Sequence, residues 1–385
     1  MNEKENNKNA RVMLEGLTIR DISLKEIFNG FEPERMDYAI RVQSDIYGVL
    51  VSPVIKEGQT ITVCADHDVK SYEGDLNYKA GEVIPYEESL GGYVVQLSQA
   101  YEDYDYEFVQ KVMIKVEGDK ESSTYTVEIT RENDSDVYAL FKKGSFVGSN
   151  DVEVPYLIYT PTNYDPNKKY PVIFALHGSG QRTQPLDMVL KRYQMATIWA
   201  KDSEKGHHEC IVLAPQCTVQ DPEVENWTTL MGYWSDSKKY PDPYTAMPQL
   251  DAAYELLQKI LKEYSCDLNR IYMTGLSAGG FATFTLSKRY PDLFAALAPD
   301  ASGADPKGLE VIKGIPIWLF QAAGDPLVKT EEFYYPTIAA LDAAGIPYKK
   351  SFYEEGAVFF PNAHFSWVAM YANEEFRNWL FEQHK

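Results

Sequence analysis

The sequence predicts an α/β protein built on a mostly parallel sheet with helices on both faces, preceded by a small all-β sandwich. From residue 12 to about residue 131, short runs of alternating apolar residues are typical of strands that bury one face. After residue 137, short apolar runs alternate with stretches of helical spacing, which is typical of parallel strands covered by helices. All six Trp residues follow residue 195, and this break in composition supports a boundary. We therefore predict a polar tail at 1–10, a sandwich at 11–133 and a second domain at 137–385.

Length and composition narrow the class of protein. A chain of 385 residues is long enough for two or three domains, and a hydrophobic fraction of 44% is sufficient for a buried core. The net charge of −20 argues against nucleic acid or an anionic membrane surface as partner. No stretch approaches the roughly 20 apolar residues of a membrane helix, and the polar N-terminus lacks the apolar centre of a signal peptide. The four Cys residues show no metal-ligand spacing and do not decide the redox compartment.

Four segments of the first region read as strands. One of them places Tyr125, Val127 and Ile129 on one face and polar residues on the other, as expected for a half-buried strand of a sandwich. The predicted strands are residues 38–42, 93–97, 112–116 and 125–129. The polar segment 131–136 is rich in turn formers, and we predict it to be the linker.

The second region alternates strands with helices. Predicted strands cover residues 156–159, 170–176, 211–214, 271–274, 315–320 and 348–353, and predicted helices cover residues 248–264, 281–290, 331–344 and 374–383. Residues 218–246 form a long aromatic insertion, and long loops in compact domains are typically lids or binding loops. We predict a lid or binding insertion there, with loop residues packed on the surface as the alternative.

One short motif organises the second region. Gly275-Leu-Ser277-Ala-Gly279 lies between an apolar run at 270–274 and the helical spacing of 281–290. Gly-x-Ser-x-Gly between a strand and a helix is the nucleophile elbow, in which the serine occupies a strained turn above the sheet. The flanking glycines make room, because a Cβ there would collide with neighbouring backbone. The motif therefore predicts Ser277 as a catalytic nucleophile.

A serine nucleophile needs a base and an acid that orients the base. After a nucleophile elbow of this type, the acid and then the histidine follow the serine in the chain. Asp325 lies just past the C-terminal end of the predicted strand 315–320, which places it at the same sheet edge as Ser277, and we predict it to be the acid. The alternatives are Asp342 and Asp305. Of the two histidines after Ser277, His364 precedes the last helix whereas His384 is penultimate, so His364 is the predicted base.

The developing negative charge needs two backbone N–H donors. Ala278 supplies one by its position after the nucleophile, and the loop after strand 170–176 supplies the other. We predict Ser179 as that donor, with Gly180 as the alternative. We expect His177, which precedes the elbow, to brace the loop, with the role of catalytic base as its alternative. Trp227 and Trp367 are the aromatic residues predicted to flank the substrate. No zinc or dinucleotide motif is present, and no metal or cofactor is implied.

Both regions resemble known families. The second resembles the α/β-hydrolase carboxylesterases related to polyhydroxybutyrate depolymerases, feruloyl esterases and acetylxylan esterases. The stretches that carry this resemblance are KYPVIFALHG (169–178), LAPQC (213–217), LNRIYMTGLSAGG (268–280) and YPDLFAALAP (290–299). Family members often have Met where this chain has Ala278, so the pocket wall beside the serine is expected to be less bulky.

The first region resembles the immunoglobulin-like and cadherin-like sandwiches of bacterial surface and secreted proteins. LTIRDISL (17–24), MDYAIRV (36–42) and STYTVEITR (123–131) carry this resemblance. It implies an extracellular or cell-surface location, with the cytoplasm as the alternative. We expect the sandwich to act as a spacer, a surface for homo-oligomerisation or a rim of the active-site mouth.

These resemblances imply a serine carboxylesterase whose substrate is a small or polymer-linked ester, such as a feruloyl or acetyl ester of a plant polysaccharide or a polyester. The sequence leaves two alternative functions open. One is a peptidase of the prolyl-oligopeptidase type, which shares the triad, although no propeller-length N-terminal region is present to shield a peptide site. The other is a polysaccharide-binding surface protein that carries a hydrolase relic.

Overall fold

The structure, a computed structural model, describes residues 12–25, 27–71, 76–99, 101–218, 227 and 247–385. The chain divides into two compact units. The first comprises Met1–Asn133 with Phe359–Pro361, and the second comprises Asp134–Val358 with Asn362–Lys385. The division after Asn133 lies within the linker predicted from the sequence. The predicted tail at 1–10 and, apart from Thr218 and Trp227, the predicted insertion at 218–246 lie outside the described residues.

The described residues of the first unit form two four-stranded sheets and a short ribbon. One sheet has the order β1-β3-β8-β7, the other has the order β2-β10-β9-β4, and β5 pairs with β6. The strands are β1 (Gly16–Arg20), β2 (Asp37–Val42), β3 (Gly48–Val54), β4 (Thr60–Ala65), β5 (Val69–Lys70), β6 (Leu76–Tyr78), β7 (Tyr86–Glu87), β8 (Gly92–Gln96), β9 (Phe108–Glu117) and β10 (Ser122–Arg131).

Side-chain alternation explains these sheets. In β10, Tyr125, Val127 and Ile129 are fully buried on one face, as the sequence predicts, while Thr124 on the other face is exposed. β9 shows the same alternation along most of its length and pairs with β10 in antiparallel register. Each strand thus buries an apolar face. The immunoglobulin-like assignment of this unit stays a prediction.

The described residues of the second unit form an eight-stranded sheet in the order β11-β12-β14-β13-β15-β16-β17-β18. Its strands are β11 (Lys142–Val147), β12 (Glu153–Tyr159), β13 (Tyr170–Leu176), β14 (Ile211–Pro215), β15 (Cys266–Leu276), β16 (Ala296–Asp300), β17 (Trp318–Ala322) and β18 (Lys349–Tyr353). β11 and β12 are antiparallel to their neighbours, and every pairing from β14 to β18 is parallel. The predicted α/β fold with a mostly parallel sheet is confirmed.

Helices connect these strands. All seven residues of β13 are buried, and because successive side chains point to opposite faces, both faces of the sheet are covered there. The helices are α1 (Ser135–Tyr138), α2 (Met188–Lys191), α3 (Gln194–Thr197), α4 (Asp202–Lys205), α5 (Pro248–Glu263), α6 (Ala278–Arg289), α7 (Tyr335–Ala344), α8 (Trp367–Ala372) and α9 (Glu374–Glu382). Within the described residues, none of these helices has the length and apolarity needed to cross a membrane.

β16 is a central strand that the sequence reading did not predict. It consists of Ala-Leu-Ala-Pro-Asp and is buried at every position. Alanine and proline are depleted in strands, so the segment carries no β-propensity signal of its own. The segment forms a strand because β15 and β17 pair with it on either side in parallel register. β16 ends at Asp300, beside Leu276 at the end of β15, and Ser277 directly follows Leu276.

Candidate active site

Ser277 lies in the tight turn between β15, which ends at Leu276, and α6, which begins at Ala278. Its backbone has φ 53° and ψ −120°, a conformation that is strained for a residue with a Cβ. The backbone N–H of Ser277 donates to the carbonyl oxygen of Asp300 at 3.0 Å, which ties this turn to the next strand. The turn has the geometry of a nucleophile elbow, with the serine only 6% exposed.

The two glycines of the motif are required by space. A Cβ on Gly275 would overlap the backbone of Gly279, and a Cβ on Gly279 would overlap the carbonyl oxygen of Leu176. Any side chain at either position would therefore push α6 away from the sheet. The collision predicted from the sequence is present at both glycines.

His364 lies in a short 3₁₀ turn, Ala363–Phe365, that precedes α8. The side-chain oxygen of Asn362 accepts from the backbone N–H of His364 at 2.9 Å and so caps this turn. The imidazole Nε2 lies 3.0 Å from Ser277 Oγ, within hydrogen-bond distance. The indole ring of Trp367 packs edge-on against the imidazole, with 5.1 Å between ring centroids.

Asp325 follows β17 and is 3% exposed. Its Oδ1 accepts from the backbone N–H groups of Leu327 at 2.9 Å and Val328 at 2.8 Å. Its Oδ2 accepts from the Nδ1–H of His364 at 2.8 Å. A carboxylate only accepts hydrogen bonds, so Nδ1 carries the proton and Nε2 is left to accept from the serine hydroxyl. The structure thus brings together the three residues that the sequence singled out, in the tautomer that a general base needs.

The loop after β13 lies against Ser277. A Cβ on Gly178 would be 3.4 Å from the Cβ of Ser277, so the backbone of this loop runs beside the nucleophile. Ser179 begins a 3₁₀ turn, Ser179–Gln181, and its carbonyl oxygen accepts from the Nε–H of Arg182 at 3.0 Å. The N–H groups of Ala278 and Ser179 thus belong to adjacent turns. Their role as oxyanion donors stays a prediction.

His177 is fully buried and bonds at both ring nitrogens within this region. Its Nδ1–H donates to the carbonyl oxygen of Gly178 at 2.6 Å, and its Nε2 accepts from the backbone N–H of Cys217 at 2.9 Å. Burial lowers the pKa of His177 from its ordinary value of 6.5 to about 4, which keeps the imidazole neutral. Both nitrogens are occupied by backbone groups, which fits the bracing role expected for His177.

The two predicted substrate-flanking tryptophans are both buried. Trp227 is fully buried, donates from Nε1 to the carbonyl oxygen of His177 at 3.0 Å and packs on the His177 ring. Trp367 is 2% exposed and packs between His364 and Tyr193. Their contact with substrate stays a prediction.

The alternative catalytic residues have other partners. Asp305 accepts from the ammonium group of Lys288 at 3.2 Å, and Asp342 is exposed and accepts from the hydroxyl of Tyr348. His384 is exposed near the C-terminus. Within the described part of the chain, no group of three or more His, Cys, Asp or Glu side chains is placed to hold a metal ion.

Two polar residues beside the triad were missed at the sequence level. Gln321 is fully buried in β17, and its Nε2 donates to Asp325 Oδ2 at 3.1 Å. Asp300 is fully buried at the end of β16 and accepts from the hydroxyl of Ser366. For Gln321 the available signal is a polar residue at the end of an apolar strand, whereas Asp300 gives no such signal because β16 lacks strand propensity.

Comparisons with known proteins agree with this geometry. The family model described as "Putative esterase" matches residues 149–360, more than half of the chain. Poly(3-hydroxyalkanoate) depolymerase C of Paucimonas lemoignei is 28% identical over 170 residues, which cover 44% of this chain and 36% of that protein. "Probable acetylxylan esterase A" of Aspergillus flavus is 25% identical over 149 residues, which cover 39% of this chain and 42% of that protein. The matches thus span less than half of the length of these curated relatives.

A solved structure described as a thermostable esterase extends the likeness to most of the chain. It covers 91% of this chain and 100% of its own, with a TM-score of 0.61 and 27% sequence identity. The likeness therefore includes residues outside the segment that the family model matches.

Proposed function

We propose that this chain, which belongs to the esterase family described as "Putative esterase", is a serine carboxylesterase with Ser277 as its nucleophile and His364 and Asp325 as its base and acid. Its family membership supports the predicted class, a carboxylic ester hydrolase. One observation carries the residue assignment. Two consecutive hydrogen bonds connect the three side chains: Ser277 Oγ to His364 Nε2 at 3.0 Å, and His364 Nδ1 to Asp325 Oδ2 at 2.8 Å.

The reaction follows from these two hydrogen bonds. Ser277 Oγ attacks the ester carbonyl carbon while His364 Nε2 takes the hydroxyl proton, and Asp325 stabilises the resulting imidazolium. The tetrahedral intermediate collapses, the bond from carbon to the alcohol oxygen breaks, and His364 gives its proton to the leaving alcohol. Water, activated by the same histidine, then attacks the acyl-serine and releases the carboxylic acid.

The backbone N–H groups of Ala278 and Ser179 are assigned to hold the carbonyl oxygen as it becomes negative. An oxyanion-hole donor contributes roughly 10²- to 10³-fold to turnover. A backbone donor gives its hydrogen bond whatever its side chain is, so the small Ala278 keeps this role. The close approach of Gly178 to Ser277 supports the placement of the second donor in this loop.

For the substrate, we propose an ester attached to a plant polysaccharide, feruloyl or acetyl, or an ester bond of a polyester. Support comes from the names of the matched relatives, a poly(3-hydroxyalkanoate) depolymerase and an acetylxylan esterase. These substrates differ in the size of the acyl group and in the alcohol to which it is esterified. A panel of acetyl, butyryl and feruloyl esters, with xylan-linked acetate and a short hydroxybutyrate oligomer, ranks them directly by kcat/KM.

The test of the activity itself uses p-nitrophenyl acetate with the wild-type protein and Ser277→Ala. Loss of a triad nucleophile lowers turnover on the order of 10⁶-fold, so the variant should show no activity above the background reaction. Ser287→Ala is the matched control, because Ser287 is a buried serine of α6 whose hydroxyl donates to the carbonyl oxygen of Phe284 in the same helix. A folded Ser277→Ala protein that keeps more than roughly one per cent of wild-type turnover would rule out Ser277 as the nucleophile.

A further inference from the structure

A second buried carboxyl group lies close to the triad. Asp300 ends β16, is fully buried, and accepts the backbone N–H of Ser277 on its main-chain oxygen at 3.0 Å. The chain turns sharply after it, because Ala301 has a φ of 44°, which is strained for a residue other than glycine. The mechanism described above does not use the side chain of Asp300.

The side chain of Asp300 binds the segment that carries the catalytic histidine. The hydroxyl of Ser366 lies 2.9 Å from Asp300 Oδ1 and 3.1 Å from Oδ2, and Ser366 is itself fully buried. Ser366 is two residues after His364 and precedes α8. On the other side of the histidine, Asn362 accepts the His364 backbone N–H. His364 is therefore held between two anchors, a local one at Asn362 and a long-range one at Asp300.

We propose that Asp300 is a positioning residue of the esterase reaction, which acts by binding Ser366 and so fixes the segment that places His364 against Ser277. The proposal rests on the function proposed above. A single strand end then carries both sides of the contact between nucleophile and base: the main chain of Asp300 holds Ser277, and its side chain holds the histidine segment. Asp300 therefore restricts movement of Ser277 relative to the segment that carries His364.

The charge state of Asp300 follows from its surroundings, because its carboxyl group is fully buried. Burial raises the pKa of Asp300 well above its ordinary value, nearby Asp325 raises it further, and the Ser366 hydrogen bond opposes the rise. Within the described part of the chain, Asp300 also interacts electrostatically with the phenols of Tyr353, at the end of β18, and Tyr371, in α8. Burial raises the pKa of both phenols, and so both are neutral. A neutral carboxylic acid can accept from Ser366 on one oxygen and donate from the other.

The expected signature is a loss in kcat with little change in KM. His364 must accept and return a proton within one turnover, and small displacements of a catalytic group cost up to about 100-fold in rate. Ser366 is fully buried, so its loss should leave substrate binding unaffected. A residue that only stabilises the fold would instead lower the melting temperature and leave kcat of the folded protein unchanged.

The first experiment compares Ser366→Ala with Tyr371→Phe. Tyr371 lies on α8, the helix that begins directly after Ser366, and is as fully buried as Ser366. Its hydroxyl forms a hydrogen bond with the hydroxyl of Thr274 at 2.8 Å. Tyr371→Phe therefore removes one buried hydroxyl group from this region and leaves Ser366 in place. We expect Ser366→Ala to lose kcat on p-nitrophenyl acetate by roughly tenfold to a hundredfold at constant KM, and Tyr371→Phe to keep kcat within about twofold. Equal kcat in both variants would overturn the proposal.

The second experiment separates hydrogen bonding from charge with Asp300→Asn and Asp300→Ala. The amide of Asn can still accept from Ser366 and carries no charge, so we expect Asn to keep kcat within about threefold and Ala to lose as much as Ser366→Ala. The double variant Asp300→Ala/Ser366→Ala should be no worse than either single variant, because both remove one contact. The proposal would be contradicted if the losses in kcat of the two single variants added fully in the double variant, or if Asp300→Asn lost as much kcat as Asp300→Ala.

Two further readouts complete the test. The pH dependence of kcat/KM should be the same in Asp300→Asn and wild type if Asp300 is neutral, and a displaced profile would contradict the neutral state. The His364 Nδ1–H proton resonance in NMR should be sharp in wild type and broadened in Ser366→Ala, and a resonance that stays sharp would overturn the positioning role even if Asp300→Ala fails to fold. Wild-type protein without activity on any ester would refute the proposed function instead, so the two failures are distinguishable.

Discussion

The buried histidine beside the oxyanion loop should make the second unit sensitive to acid. His177 is fully buried, and burial lowers its pKa to about 4 from 6.5. The folded protein therefore binds this proton more weakly than the unfolded chain does. The stability that depends on neutral His177 is fully present above pH 6.5 and is lost as the pH falls towards 4. Integrated over that window, the loss is about 3 kcal/mol of the free energy of unfolding.

The variant that tests this is His177→Gln, which stays neutral at every pH and can both donate and accept. It should be less stable than wild type at pH 7, because an amide cannot reproduce both bonds, to Gly178 and Cys217. The difference should shrink by about 3 kcal/mol between pH 7 and pH 4. Guanidinium unfolding followed by tryptophan fluorescence is the assay, because all six Trp residues follow residue 195 and report on the second unit.

His384→Gln is the control for this experiment, since His384 is exposed and its replacement should leave the pH dependence of unfolding unchanged. If the curves of His177→Gln and wild type run parallel from pH 7 to pH 4, then His177 is not buried as a neutral imidazole, and the bracing role assigned to it is wrong.

Three further predictions concern the surroundings of the triad. Gln321→Leu should lower kcat roughly tenfold at unchanged KM, because Asp325 Oδ2 loses one of its two donors, and a variant with full kcat would show that the acid is positioned without Gln321. Gly279→Ala should cost about 3 kcal/mol or more of unfolding free energy through overlap with Leu176, whereas Gly314→Ala, with no atom within 4 Å of its Cβ, should be close to neutral in thermal melting. Turnover should be unaffected by EDTA, and an EDTA loss restored by added metal would contradict the serine mechanism.

Much of the fold was predictable because the signals were local. The seven apolar residues of β13 and the three- and four-residue spacing of α5 identify a buried strand and an amphipathic helix without tertiary information. The elbow was predictable for a similar reason: Gly275 and Gly279 are needed by backbone contacts within a few residues or one strand away. The chain order of serine, acid and histidine then restricted the partners to a few residues.

The missed features depend on contacts that the sequence pattern does not show. β16 forms because β15 and β17 flank it, and its alanines show no strand preference alone. Gln321 and Asp300 acquire their roles from Asp325 and Ser366, four and 66 residues away. Sequence spacing carries no information about such partners.

The central claim is that Ser277 forms the acyl-enzyme, and trapping that intermediate tests it most directly. The protein is mixed with p-nitrophenyl acetate, quenched in acid within the first turnovers, digested and mapped by peptide mass spectrometry. The account predicts one acetyl group on the peptide that contains Ser277, absent from Ser277→Ala and longer-lived in His364→Ala if any forms. Acetyl transfer to a different residue, or rapid hydrolysis by Ser277→Ala with no acyl-serine at any time, would contradict it.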